Sequence, residues 1–334
     1  MDFSERRPVL AVDLGGTKVA AALLTPRGEI LERSVEPTCQ EGPEPGIRQI
    51  LRMLRALVER SSLDFSQLAG IGVGIPAVLA PESDHVIWAP NLEGWREVAL
   101  RPALEEATGL PCAVEYDGHT AVLGEWWQGA GRGWHSIAML IIGTGIGGGL
   151  VLDGRLYRGR DRLAGAAGWF AMTSDAGLVD DRGHSLGHWE ALAAGPGIAR
   201  RALGLLPEYP ESSLHQETEV TARQIFAAAR EGDPLSLRVV DETAGLIGLG
   251  AANLISLVNP EIVILGGSIG CQPELLPRVQ EVVRRWAQPV SARSARLQAA
   301  QLGSEAGLFG AACALLDRQR QPDFKNDPKG LESL

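Results

Sequence analysis

Positive charge is in short supply in this 334-residue chain, where 31 lysines and arginines face 41 aspartates and glutamates for a formal charge of −10. A face for nucleic acid needs the opposite balance, so no nucleic-acid partner is expected. Cysteine is sparse too: Cys39, Cys112, Cys271 and Cys313 are scattered and form no Cys-x-x-Cys pair. That argues against a disulfide framework or a metal cluster and fits reduced thiols in a cytoplasm. The start, "MDFSERRPVLAVD", lacks an apolar signal core. The longest apolar tract, residues 244–258, is interrupted by Asn253 and is too short to span a bilayer. A cytoplasmic protein with no membrane contact is expected, and its length suggests about two domains.

What the chain does have is a pair of similar stretches. "VLAVDLGGTKVAAALL" (residues 9–24) and "IAMLIIGTGIGGGLVL" (residues 137–152) each run from an apolar strand into glycine and threonine, then back into strand. In the first, residues 8–14 and 19–24 are strand-like, a Pro-Arg-Gly turn follows, and residues 30–35 read as a third strand. In the second, residues 137–142 form the strand and "GTGIGGG" the turn. Residues 150–152 return, Asp153-Gly154 makes a hairpin turn, and residues 155–158 complete the set. Each half then turns helical. Apolar residues at 47, 50, 51, 54, 57 and 58 predict a helix over 47–59, and a long helical region ends at Val258. The pattern is a duplication. A dinucleotide-binding unit is excluded, because its glycine turn must open a helix, whereas here strand follows each turn.

Glycine turns between strands can still converge backbone N–H groups on an anion. Asp13 beside "GGT" suits Mg²⁺, directly or through water, while Thr17 and the loop amides suit phosphate. Gly143, Thr144 and Gly145 repeat the device. Tight hairpins alone also explain such glycines, but two at matching positions of a repeat point to nucleotide chemistry. Phosphoryl transfer to a hydroxyl needs a base. Asp117, after a short β-like run and before a helical pattern in "AVEYDGHTAVLGEWW", is the candidate, and helix N-capping is its structural alternative.

"DLGGTK", "PNLEGW", the Asp117 helix, "GTGIGGGLVLDGRLYRG", "GAAG" and "NPEIVILGGSIG" stand in the order and spacing of the ROK family, which the chain resembles over about residues 8–316. That family comprises bacterial glucokinases, fructokinases, N-acylhexosamine kinases and sugar-responsive repressors. The resemblance implies an α/β, actin/hexokinase/RNase H-like duplicated fold of two lobes with a central cleft. Residues 1–118 would form the N-terminal lobe, a C-terminal helix over about 305–318 would return to it, and 119–304 would form the second lobe. Residues 319–334 are expected to be a mobile tail. The resemblance assigns ATP to Asp13, Gly15, Gly16, Thr17 and Lys18 on one side. On the other it assigns ATP to Gly143, Thr144, Gly145, Gly147, Gly266 and Gly267. Asp117 becomes the catalytic base toward a hexose or hexose-like hydroxyl, normally O6. Asn91, Tyr116, Asp117, Trp169 and Glu190 become the acceptor contacts, with Mg²⁺ accompanying the nucleotide near Asp13. A homodimer is typical of the family, and Gly245, Gly248 and Ala252 would allow close helix packing at an interface or equally in the interior.

Departures from the family pattern cluster at the acceptor end. Trp169 replaces a sugar-binding glutamate and Met172 a histidine that contacts sugar and zinc. The zinc cysteines are missing, with Asp181, Gly183 and His188 in their places, so no structural zinc is expected. A substitute site from Asp181, His184 and His188 is disfavoured by glycines 183 and 187. Tyr116 replaces an asparagine beside the base, and His119 another downstream. Trp169 and Trp189 would either form a stacking face for a ring or fill space left by the zinc loop. The expected activity is an ATP-dependent sugar kinase with altered recognition at the C1/C2 end of its substrate. The alternative is a non-catalytic sugar- or nucleotide-binding regulator. A DNA-binding repressor is disfavoured, because the first glycine loop begins at Asp13 and leaves no room before it for a helix-turn-helix.

Overall fold

The computed structural model describes residues 7–173 and 187–320. One motif is built twice along the chain. In the first copy, β1 (Val9–Leu14), β2 (Lys18–Leu24) and β3 (Ile30–Pro37) form an antiparallel meander, and β4 (Gly70–Ile75) lies parallel to β1. The short strands β5 (Val78–Leu79), β6 (Val86–Trp88) and β7 (Arg96–Val98) form a small sheet of their own. Then β8 (Cys112–Tyr116) joins β4 in parallel. The second copy repeats the meander with β9 (Ile137–Ile142), β10 (Ile146–Leu152) and β11 (Arg155–Tyr157). Its parallel strands are β12 (Ile262–Gly266) and β13 (Arg296–Ala299). The sheet orders β3-β2-β1-β4-β8 and β11-β10-β9-β12-β13 are equivalent. The expected duplication is present.

Burial explains the sequence pattern. Strands β4 and β12 are buried throughout and read as unbroken apolar runs, as does β1 up to Asp13, whereas β3, at a sheet edge, alternates between half-buried and exposed. In one respect the structure differs from the sequence reading. Gly147, Gly148 and Gly149 belong to β10, paired with Ile141, Leu140 and Met139, so the second turn is only 143–145. Three glycines in a row carry no strand propensity, and it is the ladder to β9 that holds them extended. The predicted helix over 47–59 spans Pro43–Ser61, and the last helix spans Ala306–Arg320. Most of the expected mobile tail, 321–334, lies outside the described residues.

The chain divides into two units. The first extends through Arg132, takes in Arg158–Ala164 and resumes at Ser304, while the second is Gly133–Tyr157 with Gly165–Gly303. The first unit thus continues past residue 118, because the helix Asp117–Gln128 packs on the helix Ala306–Arg320. Their backbones touch. A Cβ added to Gly310 would sit 1.6 Å from the Thr120 carbonyl oxygen. In the second unit, Gly248 abuts Val282 and Ala252 is buried, so these two small residues of the helix Pro234–Val258 have an interior use, whereas a Cβ at Gly245 would meet nothing within 4 Å. No helix among the described residues is long and apolar enough to cross a membrane.

Gly310→Ala should therefore force the two helices of the first unit apart. We expect a loss on the order of 3 kcal/mol from overpacking against a rigid backbone, read as a lower urea midpoint. An unchanged midpoint would refute the close approach.

Candidate nucleotide and acceptor site

In the first unit the turn between β1 and β2 is closed by a hydrogen bond from the Gly15 N–H to the Lys18 carbonyl, 2.9 Å. Its carbonyls point toward the segment after β3. The Thr38 hydroxyl donates to Gly15 O (2.7 Å), the Thr38 N–H to Thr17 O (3.0 Å) and the Gln40 amide to Gly16 O (2.5 Å). On another side, a Cβ at Gly16 would lie 2.8 Å from the Asn91 carbonyl oxygen and 3.0 Å from its Cβ. The structure therefore brings the predicted acceptor contact Asn91 against the predicted phosphate loop. Thr17 and Lys18 are exposed.

Asp13 ends the apolar run of β1 and meets the start of the helix Ala306–Arg320. Gly307 makes room for it: a Cβ there would lie 2.5–2.6 Å from the Asp13 carboxyl atoms. Burial pushes the Asp13 carboxyl up from 3.8 to about 6, the charge of Asp117 adds to the rise, and Lys18 opposes it. Asp117 opens the helix Asp117–Gln128 at the end of β8 and is half-buried rather than sealed. One of its oxygens accepts from the Gly118 N–H at 2.8 Å. Burial raises its pKa too, against the Gly118 hydrogen bond and the influence of His119. Two neighbouring carboxyls that resist ionisation suit a divalent cation, and a raised pKa makes Asp117 the stronger proton acceptor once ionised.

Sequence reasoning missed a buried polar network flanking the base. Glu115, two residues before Asp117, accepts from Arg158 Nε at 2.7 Å and Arg162 Nη2 at 3.1 Å, and lies 3.1 Å from His119 Nδ1. His119 Nε2 faces the Ala164 carbonyl at 2.8 Å, and Arg162 also bonds Asp84 and the Val114 carbonyl. Burial alone would raise the Glu115 pKa, but Arg158, the His119 hydrogen bond and Arg162 outweigh it and hold the carboxylate well below its usual range. The network pins the segment Arg158–Ala164 to the strand and helix that carry the base. More than forty residues separate Arg158, Arg162 and Ala164 from the Glu115 and His119 side chains they meet, so no local pattern betrays those contacts.

In the second unit, the Gly143 N–H bonds Gly145 O at 2.9 Å, and the Gly195 N–H bonds Gly143 O at 2.8 Å. Thr144 is exposed at the tip. Gly147 and Gly266 flank Ile141 from the two neighbouring strands, which places them side by side across the sheet, and Gly267 follows at φ +81°. Glu190, in the helix His188–Ala193, turns one oxygen onto the Ile146 N–H at 2.7 Å and so braces this loop. Trp169 is 64% exposed, whereas Trp189 is fully buried. Trp189 stacks on Phe170 at 5.8 Å and donates from Nε1 to the Leu246 carbonyl at 3.1 Å. The two tryptophans therefore form no joint face, and Trp189 is core. His188 Nδ1 accepts from the Met172 N–H at 3.0 Å. Asp181, Gly183 and His184 lie outside the described residues, and among those described no group of three or more His, Cys, Asp or Glu could hold a metal.

Comparison with known proteins gives the family and the fold. The ROK family profile matches residues 9–318. The glucokinase of Halalkalibacterium halodurans is 33% identical over 326 residues, covering 95% of this chain and 98% of that protein. The structure of a ROK family glucokinase from Streptomyces griseus in complex with glucose and AMPPNP superposes with a TM-score of 0.75 at 32% identity, covering 91% of this chain and 98% of the other. A ROK family transcriptional regulator, a homolog of the E.coli MLC protein, superposes with a TM-score of 0.83 at 26% identity, over 94% of this chain and 80% of the regulator.

The raised Asp13 pKa has a measurable consequence. Because ionisation is harder in the folded state, Asp13 costs stability as pH climbs from about 4 through about 6. Asp13→Asn should match the wild type near pH 4 and exceed it by on the order of 1–3 kcal/mol above pH 6, measured by urea unfolding without ligand. Parallel stability curves across that range would contradict the assignment.

Proposed function

Since the chain belongs to the ROK family and is a phosphotransferase of the sugar-kinase kind, we propose that it transfers the γ-phosphate of ATP to a primary hydroxyl, O6, of a hexose or hexose-like substrate. Asp117 accepts the hydroxyl proton. The observation that carries this reading is the pair of raised carboxyls, Asp13 and Asp117, beside an amide-bearing glycine turn in the first unit. The Asp13 carboxylate, which accepts no hydrogen bond among the described residues, fits Mg²⁺, directly or through water. The ion would offset the negative charge of the phosphates. Gly15, Gly16, Thr17 and Lys18 would receive phosphate. Gly143, Thr144, Gly145, Gly147, Gly266 and Gly267 of the second unit would receive the rest of the nucleotide. Asn91, Tyr116, Trp169 and Glu190 are the proposed acceptor contacts.

Acceptor recognition differs from a plain glucokinase in this reading. Trp169 and Met172 cannot replace the carboxylate and imidazole contacts of the family pattern, and each hydrogen bond lost to a buried hydroxyl weakens binding by about 0.5–1.5 kcal/mol. A substituent at the C1/C2 end that stacks on the exposed Trp169 ring would compensate. We further propose a cytoplasmic homodimer, with sedimentation as its check. The likeness to a transcriptional regulator and the altered acceptor residues favour one second reading, a sugar or nucleotide sensor without turnover.

ATP consumption measured against hexoses, amino sugars, N-acyl sugars and cyclitols separates the two. At least one acceptor should support turnover, and Asp117→Asn should cut its kcat by about 10²–10⁴-fold while AMPPNP affinity stays within a few-fold. The absence of any Asp117-dependent turnover would leave the sensor standing.

A further inference from the structure

The three carbonyls of the first glycine turn are gripped from one short segment, and peptide geometry converts that grip into a direction for the amides. In a trans peptide the C=O of one residue and the N–H of the next point opposite ways. Gly15 O and Gly16 O are drawn to the Thr38 hydroxyl and the Gln40 amide. The Gly16 and Thr17 N–H groups must then face away from that segment. The Gly15 N–H is already committed to Lys18 O within the turn, so it is the Gly16 and Thr17 amides that the two side chains aim toward an anion. The turn cannot slacken toward Asn91, whose backbone already abuts Gly16. Nor is the gripping segment loose. Gln49, from the helix Pro43–Ser61, accepts from the Cys39 N–H at 2.9 Å and donates to the Pro37 carbonyl at 2.8 Å.

We propose that Thr38 and Gln40 are positioning residues for the phosphoryl donor. By holding the turn's carbonyls from behind, they aim the Gly16 and Thr17 amides at the nucleotide's phosphates. The proposal rests on the reading of this turn as an ATP loop and adds a residue-level cause for its geometry. Neither residue touches the reacting groups. Their effect is on how well two donors are aligned before ATP arrives, which is binding energy available to the donor and not to the acceptor.

The test is a kinetic and binding comparison of the full chain with Thr38→Val, Gln40→Ala and Thr38→Ser. Each lost neutral hydrogen bond corresponds to a drop of about 3–10-fold in affinity. Thr38→Val and Gln40→Ala should raise KM for ATP, and the calorimetric Kd for Mg-AMPPNP, by that factor. KM for the acceptor should move less than about twofold by the same scale. Thr38→Ser, which keeps the hydroxyl, should restore the nucleotide affinity. The proposal is overturned if KM for ATP and Kd for AMPPNP stay at wild-type values in both variants. It is equally overturned if acceptor KM rises in step, or if Thr38→Ser behaves like Thr38→Val, because a general loosening of the fold would do either. The binding arm needs no turnover, so a wild-type protein that binds Mg-AMPPNP but consumes no ATP would remove the kinase reading and still judge the grip.

Discussion

The central strands of the first unit and the helix that starts at Asp117 are registered against one helix, which meets them at several points backbone to backbone. Residues 307, 310 and 311 of the helix Ala306–Arg320 meet, in turn, the Asp13 carboxyl, the Thr120 carbonyl and the position of Gly72 in β4. Such contacts leave no slack: a methyl group at 307 or 310 would have to occupy space already taken by a carboxyl or a peptide. The helix is the last described element of the chain, yet it sets the height of β1, β4 and the helix that starts at Asp117. Asp117 adds to the cost of ionising Asp13, and this helix packs against the elements that carry both. Close packing transmits position in a way that a looser hydrophobic contact would not.

The two glycine turns, each within its own unit, are tethered in similar ways. In the first, side chains and backbone of the segment after β3 hold the carbonyls. In the second, the Gly195 N–H holds Gly143 O, and a carboxylate oxygen of Glu190 holds the first amide of β10. A flexible turn would lose its anion-binding geometry to entropy, and these tethers remove that freedom beforehand. Beside the base the electrostatics are deliberately unlike. Glu115 is surrounded by Arg158, Arg162 and His119 and is held low, whereas Asp117, two residues on, has no cationic hydrogen-bond partner of that kind and is pushed upward by burial. The two carboxyls are thereby shifted in opposite directions, Glu115 down and Asp117 up.

The fold was legible because its signals are local and repeated. Alternating runs, a glycine turn and a Pro-Arg-Gly or Asp-Gly turn recur in both halves, and the sheet orders follow them. The limits of Gly147–Gly149 were not legible, since a run of glycines reads as a turn until a partner strand is known. Asp13 and Asp117 could be picked out because each sits at a strand end beside a break in the pattern. Thr38, Gln40, Arg158 and Arg162 could not: their partners lie far away along the chain and their own neighbourhoods look like ordinary loop. Trp189 was ambiguous for a different reason. A tryptophan on a short helix suits a stacking surface or a core equally well, and only the Phe170 ring and the Leu246 carbonyl decide between them.

The brace from Glu190 ties two positions together by inheritance. A Cβ at residue 145 would fall 2.6 Å from the Glu190 carboxylate, so the glycine there is demanded by its neighbour's side chain and not by an unusual φ. Descendants that shorten the glutamate would free residue 145 to become alanine, and those that keep it would have to swing the carboxylate aside, off the Ile146 N–H, to admit the methyl group. The pair should drift as one character across a lineage, linking whatever selects residue 190 to the shape of the adjoining turn.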